Sequence, residues 1–62
     1  MPVVIVEMWQ GRNEDQKAKL IKGICKAFED IGVPAEHLHV IIHDVPKCNW
    51  GTRGEPASKT TP

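Results

Sequence analysis

A single helix-period stripe set between two β-branched runs limits what this chain can fold into. Leu20, Ile21, Ile24, Cys25, Ala27, Phe28 and Ile31 recur at spacings of three and four, which puts one apolar face along a helix and requires a sheet for it to pack on. Asn13 marks the helix start as N-cap. Gln16 three residues later can reach back as in a capping box, and Glu14 and Asp15 complement the positive end of the helix dipole. Gly32 suits the position just past the helix, and Pro34 keeps it from resuming. Residues 3–8 precede this helix and are closed by Gly11; residues 38–45 come after it and are closed by Pro46. The first run is continuously apolar, as in a strand covered on both faces. The second puts Leu38, Val40 and Ile42 on one face and His39, Ile41, His43 and Val45 on the other. Strand, helix of about five turns and strand make one βαβ unit, whose strands are expected to be parallel and whose crossover right-handed. The expected class is α/β (α+β in some schemes), a single domain over residues 1–62.

Two strands and one helix leave a sheet face bare, and a core built from 62 residues rarely supplies more than ~3–5 kcal/mol without a staple. Cys25 and Cys48 allow at most one bridge, and Cys25 falls on the buried helix face, where a packed thiol is expected. His37 and His39 share a strand face roughly 6.6 Å apart, but His43 is too far along and Cys48 lies beyond Pro46, so no metal site is predicted. Self-association remains as the way to bury enough apolar surface. Eight basic and eight acidic side chains cancel and are interspersed, which argues against nucleic acid and against a membrane surface as partners. Lys17, Lys19, Lys22 and Lys26 form a solvated helix face, with Asp15–Lys19 and Lys26–Asp30 as four-apart ion pairs. With no charged-then-apolar leader and no long apolar run, the chain is expected to be soluble and cytoplasmic, a reducing compartment that suits free thiols. Residues 47–56 read as a loop leading into a short hairpin; they lack the glycine spacing and the Lys-Ser/Thr pair of a phosphate loop. Residues 58–62 are polar and expected to fray unless a neighbouring subunit holds them.

The chemistry concentrates in residues 1–12. Removal of Met1, which a small second residue permits, turns Pro2 into a free secondary amine at the head of an apolar strand. An α-amino group titrates near ~7.7–8.0, and burial or a nearby cation disfavours its charged form. A base with a pKa near the working pH suits proton abstraction next to a carbonyl. Arg12 or Arg53 can supply the cation. Pro2 and Arg12 are nevertheless separated by roughly 20 Å or more of strand, so they cannot meet within one chain. Antiparallel pairing of two first strands across a dimer axis brings the Pro2 end of one chain beside the Trp9 to Arg12 end of the other, and Trp50, located after the parallel second strand, arrives at the same place.

Pro2 with its apolar strand, Gly11-Arg12, Glu14-Asp15-Gln16-Lys17, Val40-Ile41-Ile42, and Trp50-Gly51 through Gly54-Glu55 together resemble the 4-oxalocrotonate tautomerase family, over nearly the whole chain. The resemblance implies a tautomerase/MIF-like fold, a homohexamer built as a trimer of dimers, a small carboxylate substrate, and no metal or organic cofactor. It implies that Pro2 is the base that moves a proton between carbons of a dienol or enol acid, that Arg12 binds and polarises the distal carboxylate, and that Trp50, with Trp9, keeps the pocket apolar. One position departs from the family pattern: His39 stands where an arginine engages the 2-oxo and carboxylate oxygens. A neutral imidazole donates one hydrogen bond and brings no fixed charge, which lowers the expected efficiency on 2-hydroxymuconate; Arg53 is a candidate to compensate. The leading expectation is a cofactor-independent tautomerase acting on a 2-hydroxydienoate or the enol form of a 2-keto acid. The alternatives are a Pro2-dependent hydratase, dehalogenase or aldol-type enzyme acting on unsaturated acids or aldehydes, and a catalytically idle oligomer that binds a small acid.

Overall fold

The computed structural model describes residues 1–60 of the chain. Strand β1 (Val3–Trp9) leads to helix α1 (Glu14–Glu29) and then to strand β2 (His39–Val45). The two strands pair in parallel, with Val3 opposite His39, Ile5 opposite Ile41 and Trp9 opposite Val45. A two-residue antiparallel pair, β3 (Gly51–Thr52) and β4 (Glu55–Pro56), and a last helical turn, α2 (Ala57–Thr60), complete the order. Short 3₁₀ turns at Ala35–His37 and Lys47–Asn49 introduce β2 and the hairpin.

Helix α1 begins as its sequence requires. The Gln16 backbone N–H donates to Asn13 Oδ1 at 2.8 Å, and the Asn13 N–H donates to Gln16 Oε1 at 3.0 Å, a reciprocal capping box. At the other end the Val33 N–H reaches the Phe28 carbonyl and the Gly32 N–H reaches that of Glu29, both at 3.0 Å. These are the two bonds of a Schellman turn, and they require the positive φ of 92° that Gly32 adopts. The apolar stripe therefore stops short of Ile31, which lies past the last helical residue and is 73% exposed. Of the two expected helix-surface ion pairs, Lys26–Asp30 forms at 3.0 Å, and Asp15–Lys19 is not among the ion pairs of the described residues. Lys17 departs from the expectation of a solvated face: its ammonium bridges from the first turn of α1 to Asp44 near the end of β2.

The helix covers one sheet face, where Val4, Val6, Met8, Val40 and Ile42 are half-buried. The opposite face is open in the protomer, as two strands and one helix require, with Val3 53%, Ile5 57% and Ile41 45% exposed; the cover expected on both sides of β1 is supplied on one side only within a single protomer. Among the described residues only Leu38 and Ala57 are buried. The unit is a slab with extents of 42 × 23 × 14 Å and a Cα radius of gyration of 14.5 Å, against about 11 Å for a compact chain of this length. Cys25, half-buried, and Cys48, exposed, are both free thiols. No helix among the described residues is long and apolar enough to cross a membrane. Ser58, Lys59 and Thr60, expected to fray, instead continue the helical turn that Ala57 anchors; Thr61 and Pro62, which carried the same expectation, lie outside the described residues.

Replacing the cap tests the local account of α1. Asn13→Ala removes one of two reciprocal bonds and is expected to cost about 0.5–2 kcal/mol, read as a lower midpoint in urea unfolding at fixed protein concentration with unchanged helix content in the folded baseline.

Candidate active site

The register of β1 and β2 divides the candidate residues between two ends of one short sheet. Pro2, half-buried, immediately precedes β1, and its carbonyl accepts a hydrogen bond of 3.2 Å from the His39 backbone N–H. Met1 beyond it is 85% exposed. His39 opens β2 and shares the uncovered sheet face with Val3, Ile5 and Ile41, so the imidazole and the head of β1 belong to the same end. Trp9 closes β1 at the other end, seven strand residues or roughly 23 Å away.

At that far end the chain gathers an aromatic pair and a cation. The Trp9 and Trp50 rings meet edge to face, with centroids 5.9 Å apart and planes at 77°, the arrangement favoured by the ring quadrupoles. Lys47 Nζ stands 4.7 Å from the centroid of the Trp9 ring, within range of a cation–π attraction. The Trp9 indole Nε1–H is buried and has no acceptor among the described residues. Trp50 is positioned from the C-terminal side, since its carbonyl accepts the Ala57 N–H at 2.7 Å. Arg12, three residues past β1, is exposed and makes no ion pair or hydrogen bond among the described residues. Arg53 sits at the tip of the β3–β4 hairpin with φ 54°, followed by Gly54 at φ 82°. Two successive positive φ values are those of a type I′ turn, which usually carries asparagine or glycine at the first position.

Within one protomer, then, Trp9 and Trp50 are brought together with Lys47, Pro2 is brought beside His39, and the two groups are held apart. Sequence reasoning missed Lys47. Its signal is the register: Lys47 is two residues past Val45, and Val45 pairs with Trp9. It also missed the contact of His43 Nδ1 with Glu7 Oε2 at 2.7 Å on the uncovered face, again a consequence of Glu7 standing opposite His43. His37, expected on a strand face with His39, lies in the 3₁₀ turn before β2. Among the described residues no group of three or more His, Cys, Asp and Glu side chains is gathered as a metal site. An open depression of about 470 Å³ at the end of α1 that leads toward β2, lined by Glu29, Gly32, Val33 and Pro34, contains none of the candidate residues.

The fold has counterparts among known proteins. A family model described as tautomerase enzyme matches residues 2–60. The 2-hydroxymuconate tautomerase of Comamonas testosteroni is 42% identical over 60 residues, 95% of each chain. Among solved structures, a 4-oxalocrotonate tautomerase isozyme from Methylibium petroleiphilum is 41% identical and superposes with a TM-score of 0.84 over 92% of this chain and 94% of that one. A chain of a heterohexamer 4-oxalocrotonate tautomerase from Chloroflexus aurantiacus is 27% identical and superposes with a TM-score of 0.87 over 98% of this chain and 100% of its own.

The aromatic pair predicts an optical signature. In Trp50→Ala, Trp9 loses its ring partner and gains water contact, so the remaining indole emission is expected to move to longer wavelength; Trp50→Phe, which keeps an aromatic edge, is expected to leave the Trp9 emission maximum near its position in the parent protein.

Proposed function

The chain belongs to the tautomerase family and is an isomerase of the 4-oxalocrotonate tautomerase type, and from that premise we propose that it interconverts the enol and keto forms of a small 2-hydroxydienoate or 2-keto acid, with Pro2 as the base once Met1 is removed. The observation that carries this reading is the separation of the candidate residues: Pro2 at the head of β1 and the Trp9–Trp50 pair stand at opposite ends of one protomer, and a second copy placed antiparallel would join them. The uncovered face with Val3, Ile5 and Ile41 supplies the apolar surface for such association, and a related chain forms a heterohexamer. The assembly we propose here is a homohexamer, a trimer of dimers, working in the cytoplasm.

In this site the Pro2 secondary amine takes the proton from the enol, the electron pair forms the carbonyl, and the same proton equivalent returns to carbon at the end of the conjugated system. Nothing is gained or lost overall, so a base and a means of stabilising negative charge suffice, and no cofactor is needed. Arg12 binds the distal carboxylate and draws electron density toward it, a charge-assisted contact of about 1.5–3 kcal/mol. Trp9 and Trp50 exclude water, which keeps the protonated amine costly and strengthens the Arg12 contact. His39, beside Pro2, donates a single hydrogen bond, and Arg53 on the hairpin after Trp50 completes the polar rim.

Intact mass of the purified protein, with ketonisation of 2-hydroxymuconate and phenylenolpyruvate followed by ultraviolet absorbance, tests the assignment. A mass lacking Met1, activity in the parent protein and a large loss of kcat in Pro2→Ala are expected; equal rates in parent and variant would remove Pro2 from the mechanism. Arg12→Ala is expected to lower kcat/KM by about 10- to 100-fold. Light scattering is expected to give six times the 6.9 kDa protomer mass, and Ile5→Lys, which charges the uncovered face, to reduce both the mass and the activity.

A further inference from the structure

We propose that the uncovered sheet face docks on the same face of another copy of this chain, with the Glu7–His43 pair as the polar rung that fixes their alignment, an inference that rests on the self-association proposed above. The open face is a ladder of cross-strand rungs: Val3 with His39, Ile5 with Ile41, Glu7 with His43, and Trp9 with Val45. It is mainly apolar, and Val3, Ile5 and Ile41 are about half exposed on it. One rung sets an acid beside a base. His43 Nδ1 stands 2.7 Å from Glu7 Oε2, and each side chain is 52% exposed. His39, the other titratable group on this face, is two rungs away at the Pro2 end.

The face fits its own kind for three reasons. Every protomer needs cover, since only Leu38 and Ala57 are buried among the described residues, and the partner always present in equal amount is another copy. The charge pattern matches itself: an isologous contact through this rung offers each copy's carboxylate the other's imidazole. The hydrogen bonding is also half complete, because the pair uses Glu7 Oε2 and His43 Nδ1 and leaves Glu7 Oε1 and His43 Nε2 without a partner among the described residues. Pairing within the chain is what lets charge enter an apolar contact, because an acid and a base that already satisfy each other cost less to cover than either alone. It also sets the alignment. Apolar rungs tolerate sliding, whereas a shift of one copy along the other would lay Ile5 or Ile41 over the charged pair.

Half exposed in the lone protomer, the pair adds little to the stability of one chain, so a large effect of breaking it has to come from its burial between copies. Sedimentation equilibrium over a dilution series reads that effect. Glu7→Leu and His43→Leu each leave one group buried without its partner and are expected to raise the concentration of half-dissociation by about 100-fold or more. The double variant Glu7→Leu/His43→Leu, with an apolar rung, is expected to associate within about tenfold of the parent protein or more tightly, and to give more than one mass as alignment is lost. Exchange of the pair in Glu7→His/His43→Glu is expected to restore a single mass. Single variants that associate like the parent, a double leucine variant as weak as the singles, or a monomeric parent would overturn the proposal. Diethyl pyrocarbonate tests the parent protein without substitution: it is expected to modify His37, which is exposed in its 3₁₀ turn, and to spare His43 until dilution separates the copies. Equal modification of His43 before and after dilution would reject the proposal. None of these readouts involves an enol acid, so they stand or fall apart from the role of Pro2, which the ketonisation rates test.

Discussion

Parallel hydrogen bonding between β1 and β2, in the register that sets Val3 against His39 and Trp9 against Val45, is the constraint on which the remaining geometry depends. Side chains alternate along each strand, so this one register decides that Val4, Val6, Val40 and Ile42 meet the helix and that Val3, Ile5, Glu7, His39, Ile41 and His43 do not. A slip by one residue would exchange the two sets and set polar side chains against α1. The Lys17–Asp44 bridge reinforces the choice from the helix side, because it forms only when the even-numbered end of β2 faces the first turn of α1. The same register carries Lys47 past Val45 to the Trp9 ring.

The energetic counterpart is a protomer with little interior. A Val or Ile side chain contributes about 1.5–3 kcal/mol when its exposure is removed completely, and three such side chains are about half exposed on the open face. A slab 14 Å thick has room for one layer of helix on one layer of sheet, so further stabilisation has to come from another copy of the chain. In that setting Pro2 and the Trp9–Trp50 pair are kept apart by the small fold itself, since a strand of seven residues cannot bend back on itself to bring its ends together.

Much of the fold was legible in the sequence because it rests on local chemistry. The Asn13–Gln16 capping box, the stop at Gly32, the alternation of β2 and the hairpin after Trp50 each follow from residues a few positions apart. What was not legible depends on contacts between residues far apart in sequence. Lys17 reads as one solvated lysine among four until the register places Asp44 over it, and Lys47 reads as a loop lysine until Val45 is known to pair with Trp9. Ile31 shows the opposite failure: it continues the helical spacing, but the Schellman turn at Gly32 ends the helix before that spacing can be used. For the candidate residues, strand length alone puts Pro2 and Arg12 at opposite ends of one protomer, as the structure has them, whereas the Lys47–Trp9–Trp50 cluster was not legible.

A hairpin of two residue pairs is too short to stand alone, and here it is held by the segment on its C-terminal side: Ala57 is fully buried, and its N–H is bonded to the carbonyl of Trp50. The Trp50 indole, which meets Trp9 edge to face, is therefore suspended from the helical turn α2. Fraying of α2 would break the Ala57–Trp50 hydrogen bond and with it the hold on that indole, so the two are coupled in local opening. The α2 turn and the Trp50 side chain consequently share one local stability, although neither belongs to the βαβ unit that forms the bulk of the protomer.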